Sequence, residues 1–571
     1  MCELMNYLSK LKKSSVEAVD SSDSFSDFQK YMHVKREAEE ELEFILKDVQ
    51  TKKKVLVLLC GSVGDGKSHI LGYFKNQTNL LEGFRIINDA TESSYPDKTS
   101  QECLSKELIE FSDENIENDV SKKVIVAINL GTLSNFLNSE YGQQYKKLAE
   151  YVFSAGVIAD KECCVTENEY FRSINFADYQ LFELAENGVK SEFLFSLFNK
   201  IFDQVENNPF YQASKKCSGI CKDKCPIFAN FQLMSNIKIR SSVVELLINC
   251  IISEKMILST RLILNFIYDI LVAPEYESLD NVGASVGNIK LKTYVDNTLP
   301  NLLFSSMDRS PILNAVSKLD PVKKRQLGQD EEAIKYNYVD DGRTLIKTIE
   351  GKVELNSYLN YIRSFEEKKQ LLFEKTKMAL FKLNTRQAYL EKMTLNKTAV
   401  LKDFLNAVFC YNTGKRRGLS DVSQKLKSAV YGWNGVIKDE RVIIPKSTSK
   451  YTVSQKIDIK PDLSRLPETK NISSLSKFKN YIVLGFTVGS RHERIAISID
   501  FKLYELIGKI SNGYRPTISD KNVFINFDEF VRKVSKNGEL EKSVYISDNS
   551  SGGKTYHVEL SEFGGYTFRE I

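Results

Sequence analysis

Six apolar residues in a row, Val55-Leu56-Val57-Leu58-Leu59-Cys60, run directly into Gly61-Ser62-Val63-Gly64-Asp65-Gly66-Lys67-Ser68. No other stretch restricts the fold as tightly. A short continuous apolar run is the pattern of a strand buried on both faces of a parallel sheet. The octapeptide fits GxxxxGK[ST] in full, and the residues from Ser68 through Ile70, Leu71, Tyr73 and Phe74 read as a helix. Strand, glycine-rich bend and helix in that order aim successive N–H groups into one concavity at the positive end of a helix, which suits a polyphosphate. The glycines let the backbone turn and approach the anion closely. Lys67 would place a charge between the β- and γ-phosphates, and Ser68 a hydroxyl on Mg²⁺. The expected contact set for Mg-ATP is therefore Gly61, Ser62, Val63, Gly64, Asp65, Gly66, Lys67, Ser68 and His69. A ligand-free glycine turn is the bland alternative, but such a turn does not require Lys-Ser after three glycines in this register.

Two further apolar runs, Phe84-Arg85-Ile86-Ile87 and Val124-Ile125-Val126-Ala127-Ile128, alternate with helix-compatible stretches. That alternation argues for an α/β fold with a parallel sheet. The catalytic complement is less regular. Where a P-loop NTPase carries its Walker B acid, this chain has Asn129-Leu130-Gly131. An asparagine brings no charge and cannot act as a general base. Asp89 and Glu92, just beyond Ile86-Ile87-Asn88, are the substitute carboxylates; a turn or N-cap role for Asp89 is the competing reading. Ser173-Ile174-Asn175-Phe176 reads as another strand, whose Asn175 either orients a water or closes a turn. Arg261 stands at a helix start in Ser259-Thr260-Arg261 and would reach the γ-phosphate from a helical lid, the alternative being a solvated surface arginine. Arg240 is a weaker choice of the same kind.

The chain has 571 residues, a length that suggests three or four domains. Its 79 basic and 75 acidic side chains leave a net charge of +4, so charge alone does not make it a nucleic-acid binder. The expected divisions are a helical segment over 1–50, a P-loop ATPase core with lid over 51–275, a mainly helical middle region over 276–400 and an α+β part over 401–571. The middle region is expected to carry one or two long helices within Asn356 to Met393. In the last part, Tyr481 to Val488, Arg494 to Asp500, Val523 to Phe527, Ser543 to Ser547 and Tyr556 to Leu560 read as strands, and Phe501 to Ile510 as a helix. No apolar run reaches the ~18 residues of a membrane span, and no secretory leader stands out, so a cytoplasmic location is expected.

Ten cysteines are too dilute for a disulfide scaffold. The densest group is Cys217-x3-Cys221-x3-Cys225 among Lys215, Lys216, Lys222 and Lys224. Three readings stand for it: a structural zinc site with a fourth ligand from Cys163 or Cys164, reduced free thiols, or an iron–sulfur cluster. Lys415-Arg416-Arg417, Lys446, Lys450, Lys470, Lys477, Lys479, Arg491 and Arg494, interleaved with Tyr411, Tyr431, Trp433, Tyr451 and Tyr481, suit a DNA backbone contact with stacking. An ordinary solvated surface explains the same residues. Pro461-Asp462 with Glu468-Thr469-Lys470 matches a PD-(D/E)xK nuclease string only formally, because no apolar strand carries Glu468.

Several of these patches together resemble the DptF family of DNA phosphorothioation-dependent restriction proteins. They are Gly61 to His69 followed by Asn88-Asp89-Ala90-Thr91-Glu92, then Ala127-Ile128-Asn129-Leu130-Gly131, Cys217 to Pro226, Tyr431-Gly432-Trp433-Asn434-Gly435 and Gly513-Tyr514-Arg515-Pro516. The resemblance implies a P-loop ATPase subunit of a bacterial anti-phage defence system, acting with DptG and DptH partners on DNA that lacks the backbone modification. It carries Gly61, Gly66, Lys67 and Ser68 over as nucleotide-binding residues. The expected architecture is an AAA/ASCE-like P-loop NTPase sheet with a helical lid, then a helical middle region and an α+β C-terminal domain. The competing functional reading is a nucleotide-gated scaffold or signalling switch with negligible turnover and no DNA contact. A P-loop kinase ranks third, for want of an arginine-rich lid or evident substrate pocket.

Overall fold

The computed structural model describes residues 2–20, 26–62, 64–88, 99–158, 168–186, 188–217, 219–277, 289–324, 327–350, 357–392, 399–435, 440–444, 448, 450–467, 469–489, 493–537, 543–550 and 553–571, without the side chains of 13–20 and 219–221. The chain divides into two compact units, Met1–Phe182 with Ser191–Leu395, and Glu183–Lys190 with Asn396–Ile571.

The first unit is α/β. Strand β1 (Lys54–Gly61) is buried at every position, as its unbroken apolar run requires. It lies in a four-stranded sheet of order β2-β3-β1-β4, with β2 at Phe84–Ile87, β3 at Lys122–Asn129 and β4 at Phe171–Asn175. Every pairing in the sheet is parallel. Because side chains alternate along a strand, β1 feeds two cores. Leu56, Leu58 and Cys60 join Val124, Val126 and Ile128 on one face. Val55, Val57 and Leu59 join Ile125 and Ala127 on the other. Each such buried aliphatic side chain contributes about 1.5–3 kcal/mol relative to exposure, an upper estimate.

Helices cover both faces. α1 (Glu3–Asp20), α2 (Asp27–Met32) and α3 (Glu37–Asp48) precede β1, and α4 (Lys67–Gln77) follows it. α3 and α4 place Leu42, Leu46, Ile70, Leu71 and Phe74 on the Val57 face. α5 (Ser100–Glu107), α6 (Leu130–Leu137) and α7 (Lys146–Ser154) place Leu104, Phe136 and Leu148 on the opposite face. Phe44 of α3 points away from this core and is 73% exposed.

After β4 this unit is helical: α8 (Glu192–Phe202), α9 (Pro209–Lys215), α10 (Gly219–Lys224), α11 (Pro226–Ser235), α12 (Ile237–Glu254) and α13 (Thr260–Leu271). Val243, Leu246, Leu247, Cys250 and Ile251 are all buried along α12. Further on come the short helix Leu359–Arg363 and the 19-residue helix Glu374–Lys392. Two polar hubs hold these helices in register. Asn230 Nδ2 donates to the carbonyls of Leu271 and Asn297 at 3.0 and 2.9 Å. Its Oδ1 accepts from Leu299 N–H and the Tyr358 hydroxyl at 2.7 and 2.8 Å, so the buried amide is fully used. Arg386 forks onto Asp320 at 3.1 and 2.6 Å and donates to Asn301 and Ser305. Both charges of that pair are buried.

The second unit is α+β. An antiparallel sheet orders Glu493–Ile499, Ile482–Val488 and Ile459–Asp462. Another orders Tyr566–Glu570, Thr555–Leu560, Ser543–Asp548, Tyr451–Lys456 and Arg441–Ile443. The expected helix forms over Phe501–Ser511. The strand expected at Val523 to Phe527 does not form: Ile518–Val523 and Ile525–Lys536 are helices. The apolar residues there recur at helical spacing, and Phe527, Phe530, Val531 and Val534 form one buried stripe. No helix among the described residues is long and apolar enough to cross a membrane.

Candidate functional site

Strands β3, β1 and β4 end together. Gly61 pairs with Asn129, and Cys60 with Asn175. Gly61, Asn129 and Asn175 therefore share one carboxyl-terminal edge, where ligands of open α/β sheets collect. The chain turns here through left-handed glycines, Gly64 at φ 84° and Gly66 at φ 92°. Gly66 is the N-cap of α4, and its carbonyl accepts from Ile70 N–H at 3.0 Å. Lys67 and Ser68 thus open the helix, as the motif requires.

The bend is braced from three sides. Ser62 N–H donates to Asp65 Oδ2 at 2.6 Å, and Lys67 Nζ donates to the Ser62 carbonyl at 2.6 Å. Arg36, from the segment before α3, donates from Nη1 to the Asp65 carbonyl at 2.9 Å. Its guanidinium lies 5.9 Å from the Phe176 ring and 5.1 Å from that of Phe193. Burial pushes the Asp65 carboxyl up, against the opposing pull of the Ser62 amide, Lys67 and Arg36. The third brace is the start of α13: a Cβ on Gly64 would come within 3.0 Å of Ser259 Oγ and 3.5 Å of Arg261 Cβ. Arg261, picked from sequence alone, accordingly sits beside the loop. Arg240 does not serve as a free cation; it is buried and paired with Asp203 at 2.6 Å.

His69 faces the N-terminal segment. Its Nε2 lies 3.1 Å from His33 Nδ1, and His33 Nε2 lies 3.3 Å from Glu39 Oε1. The His33 ring stacks on Tyr73 at 3.9 Å. Burial and the neighbouring His33 push His69 down to about 4, so it is neutral at physiological pH. The sequence reading missed His33, Arg36, Glu39 and Ser259. Only Ser259 carried a local signal, as a helix N-cap that accepts from Leu262 N–H at 3.3 Å.

Both asparagines of the sheet edge have local duties. Asn129 Oδ1 accepts from Gly131 N–H at 2.8 Å and caps α6. Asn175 accepts from Ala177 N–H at 3.1 Å and donates to Asp178 Oδ1 at 3.1 Å. β2 stops one strand further out, and the buried Oδ1 of Asn88 beyond it finds no donor among the described residues. Val63, Asp89 and Glu92 lie outside the described residues, as do Cys163 and Cys164. Cys225 is buried and Cys217 partly so, while the Cys221 side chain is not among those described. No three metal-ligating side chains converge among the described residues.

Of the aromatics interleaved with lysines in the second unit, Trp433 is no stacking platform. It is 1% exposed, donates from Nε1 to Asp528 at 2.8 Å and meets the edge of Phe527. Lys415 pairs with Glu186 at 3.3 Å. Arg494 pairs with Asp462 at 2.7 Å, which occupies the one described carboxylate of the nuclease-like string. Glu468, Lys446 and Arg491 lie outside the described residues. A scan against protein-family models, a search of curated proteins and a search of solved structures each return no match to this chain.

Proposed function

We propose that this chain is a P-loop protein that binds Mg-ATP in the bend from Gly61 to Ser68. One observation carries the reading: a left-handed glycine bend at the carboxyl edge of a fully buried parallel strand, with Lys67 and Ser68 opening the next helix. Polyphosphate would lie on the amides of the bend, Lys67 would meet its charge, and Ser68 would hold the magnesium ion. The bend favours glycine, since the left-handed backbone at Gly64 and Gly66 would strain a side chain and a Cβ at Gly64 would crowd Ser259. The helices α8 to α13 act as the lid in this reading, and Arg261 on α13, whose Cβ lies beside Gly64, would sense the terminal phosphate.

Hydrolysis in this reading draws its acid from Asp89 or Glu92 after β2, because Asn129 lacks a charge and caps α6. Nucleotide would act by favouring the conformation that it binds better. The wider role, an ATP-binding subunit of a phosphorothioation-dependent restriction system with partner subunits and DNA, rests on the resemblance to DptF proteins. Steady-state phosphate release from Mg-ATP, with and without DNA, tests the proposal. Turnover that is lost in Asp89→Ala and kept in Asn129→Ala supports an ATPase with a displaced acid. Nucleotide binding without turnover, indifferent to DNA, favours the nucleotide-gated scaffold instead.

A further inference from the structure

Ser62, Gly64 and Asp65 make no backbone-to-backbone hydrogen bonds among the described residues. The directions of the peptide planes in the bend must therefore be set by side chains. One plane is held by a residue from before β1. Arg36 Nη1 donates to the Asp65 carbonyl at 2.9 Å. The peptides here are trans, and in a trans peptide the carbonyl and the following N–H point in opposite directions. A carbonyl drawn toward Arg36 thus turns the Gly66 N–H the other way. Gly66 is the N-cap of α4, so this amide stands at the positive end of that helix. Its φ of 92° is one that glycine takes without strain.

The guanidinium is itself held in place. Two rings flank it, Phe176 just beyond β4 at 5.9 Å and Phe193 of α8 at 5.1 Å. Aromatic faces fix a planar cation without using its N–H donors. The bond to Asp65 is the single hydrogen bond of this guanidinium among the described residues, and no carboxylate there pairs with it. A part-buried cation of this kind polarises the peptide it touches, and a polarised carbonyl strengthens the N–H at the other end of the same peptide.

We propose that Arg36 is a positioning residue of the nucleotide site, fixing the Asp65–Gly66 peptide so that the Gly66 N–H meets the polyphosphate. The inference rests on the nucleotide reading of the bend and adds to it a residue that lies outside the motif. Arg36 acts through the peptide and is not itself a phosphate ligand.

The test uses the full chain with aspartate carbonyl carbons and glycine nitrogens labelled for NMR. That pattern selects two peptides, Asp65–Gly66 and Asp341–Gly342. The probes are inorganic tripolyphosphate and Mg-ATP. In the wild-type chain both should move the Gly66 amide proton downfield and leave Gly342 in place. In folded Arg36→Ala the movement should shrink, and affinity for both probes should fall about tenfold, the worth of one hydrogen bond to a charged group. Arg36→Gln shortens the reach and removes the charge; it should lose both readouts in part, and it stands in where Arg36→Ala does not fold. Arg36→Lys, which keeps a charged donor, should restore most of both. Wild-type affinity and wild-type Gly66 movement in the folded alanine or glutamine variant, with binding abolished in Lys67→Ala, overturn this inference alone. Weaker binding with an undiminished Gly66 response also overturns it, because Arg36 would then touch the phosphates directly. No binding of either probe by the wild-type chain removes the nucleotide reading and this inference with it.

Discussion

The loop carries its own anion. Asp65 Oδ2 takes the Ser62 N–H at 2.6 Å, and Lys67 Nζ donates to the Ser62 carbonyl. A triphosphate in the same bend needs that amide and that ammonium group, so Asp65 must swing away as the nucleotide enters. A hydrogen bond to a charged group contributes about 1.5–3 kcal/mol to stability. Part of it returns when the freed carboxylate is hydrated, and burial has already pushed the Asp65 carboxyl up, weakening its hold as an anion. The lower end of the range is therefore appropriate. Asp65→Ala should tighten Mg-ATP binding by roughly tenfold, the equivalent of about 1.4 kcal/mol. Asp65→Asn, which keeps an acceptor but no charge, should gain less. Calorimetric or fluorescent titration of the folded variants near pH 7.5 reads the effect. Unchanged or weaker affinity in folded Asp65→Ala would refute the idea that the carboxylate and the phosphates compete for one place.

Three further outcomes follow from other parts of the molecule. His69 is held down to about 4 in the fold against 6.5 as its ordinary value, so the unfolded chain binds the extra proton between those pH values. Its contribution is complete above about pH 6.5 and is lost as pH falls toward 4, up to about 3 kcal/mol in all; chemical denaturation from pH 7.5 to 4.5 should show this slope, and His69→Gln should flatten it. Arg386→Ala strands the buried Asp320 carboxylate, and breaking a buried pair in this way costs about 3–5 kcal/mol. A melting temperature within a degree or two of wild type would contradict that. Trp433→Phe keeps the ring contact with Phe527 but leaves the Asp528 carboxylate without the indole donor; a loss of about 1–3 kcal/mol is expected, with no change in DNA affinity over a salt series.

Legibility from sequence followed the range of the interactions involved. The core of the sheet was readable because β1 and β3 are continuous apolar runs, and the loop because its glycines and Lys67-Ser68 are contiguous. Arg261 was reachable because Ser259-Thr260-Arg261 announces a helix start. The stretch Val523 to Phe527 misled because β-branched and aromatic residues suggest a strand over five positions, whereas the deciding repeat, Phe527 to Val534, extends over a longer window. Trp433 stands among lysines in sequence, but its side chain turns inward to Asp528. Arg36 on Asp65 and His33 on His69 had no local signature, since each joins the segment before β1 to the loop and helix that follow it.

The most direct measurement is equilibrium binding of Mg-ATP to the wild-type chain and to Lys67→Ala, with folding of both verified by circular dichroism. Saturable binding by wild type that disappears in Lys67→Ala is the predicted result. Equal affinity in the two proteins, or no binding by either, would contradict a phosphate site in the Gly61–Ser68 bend.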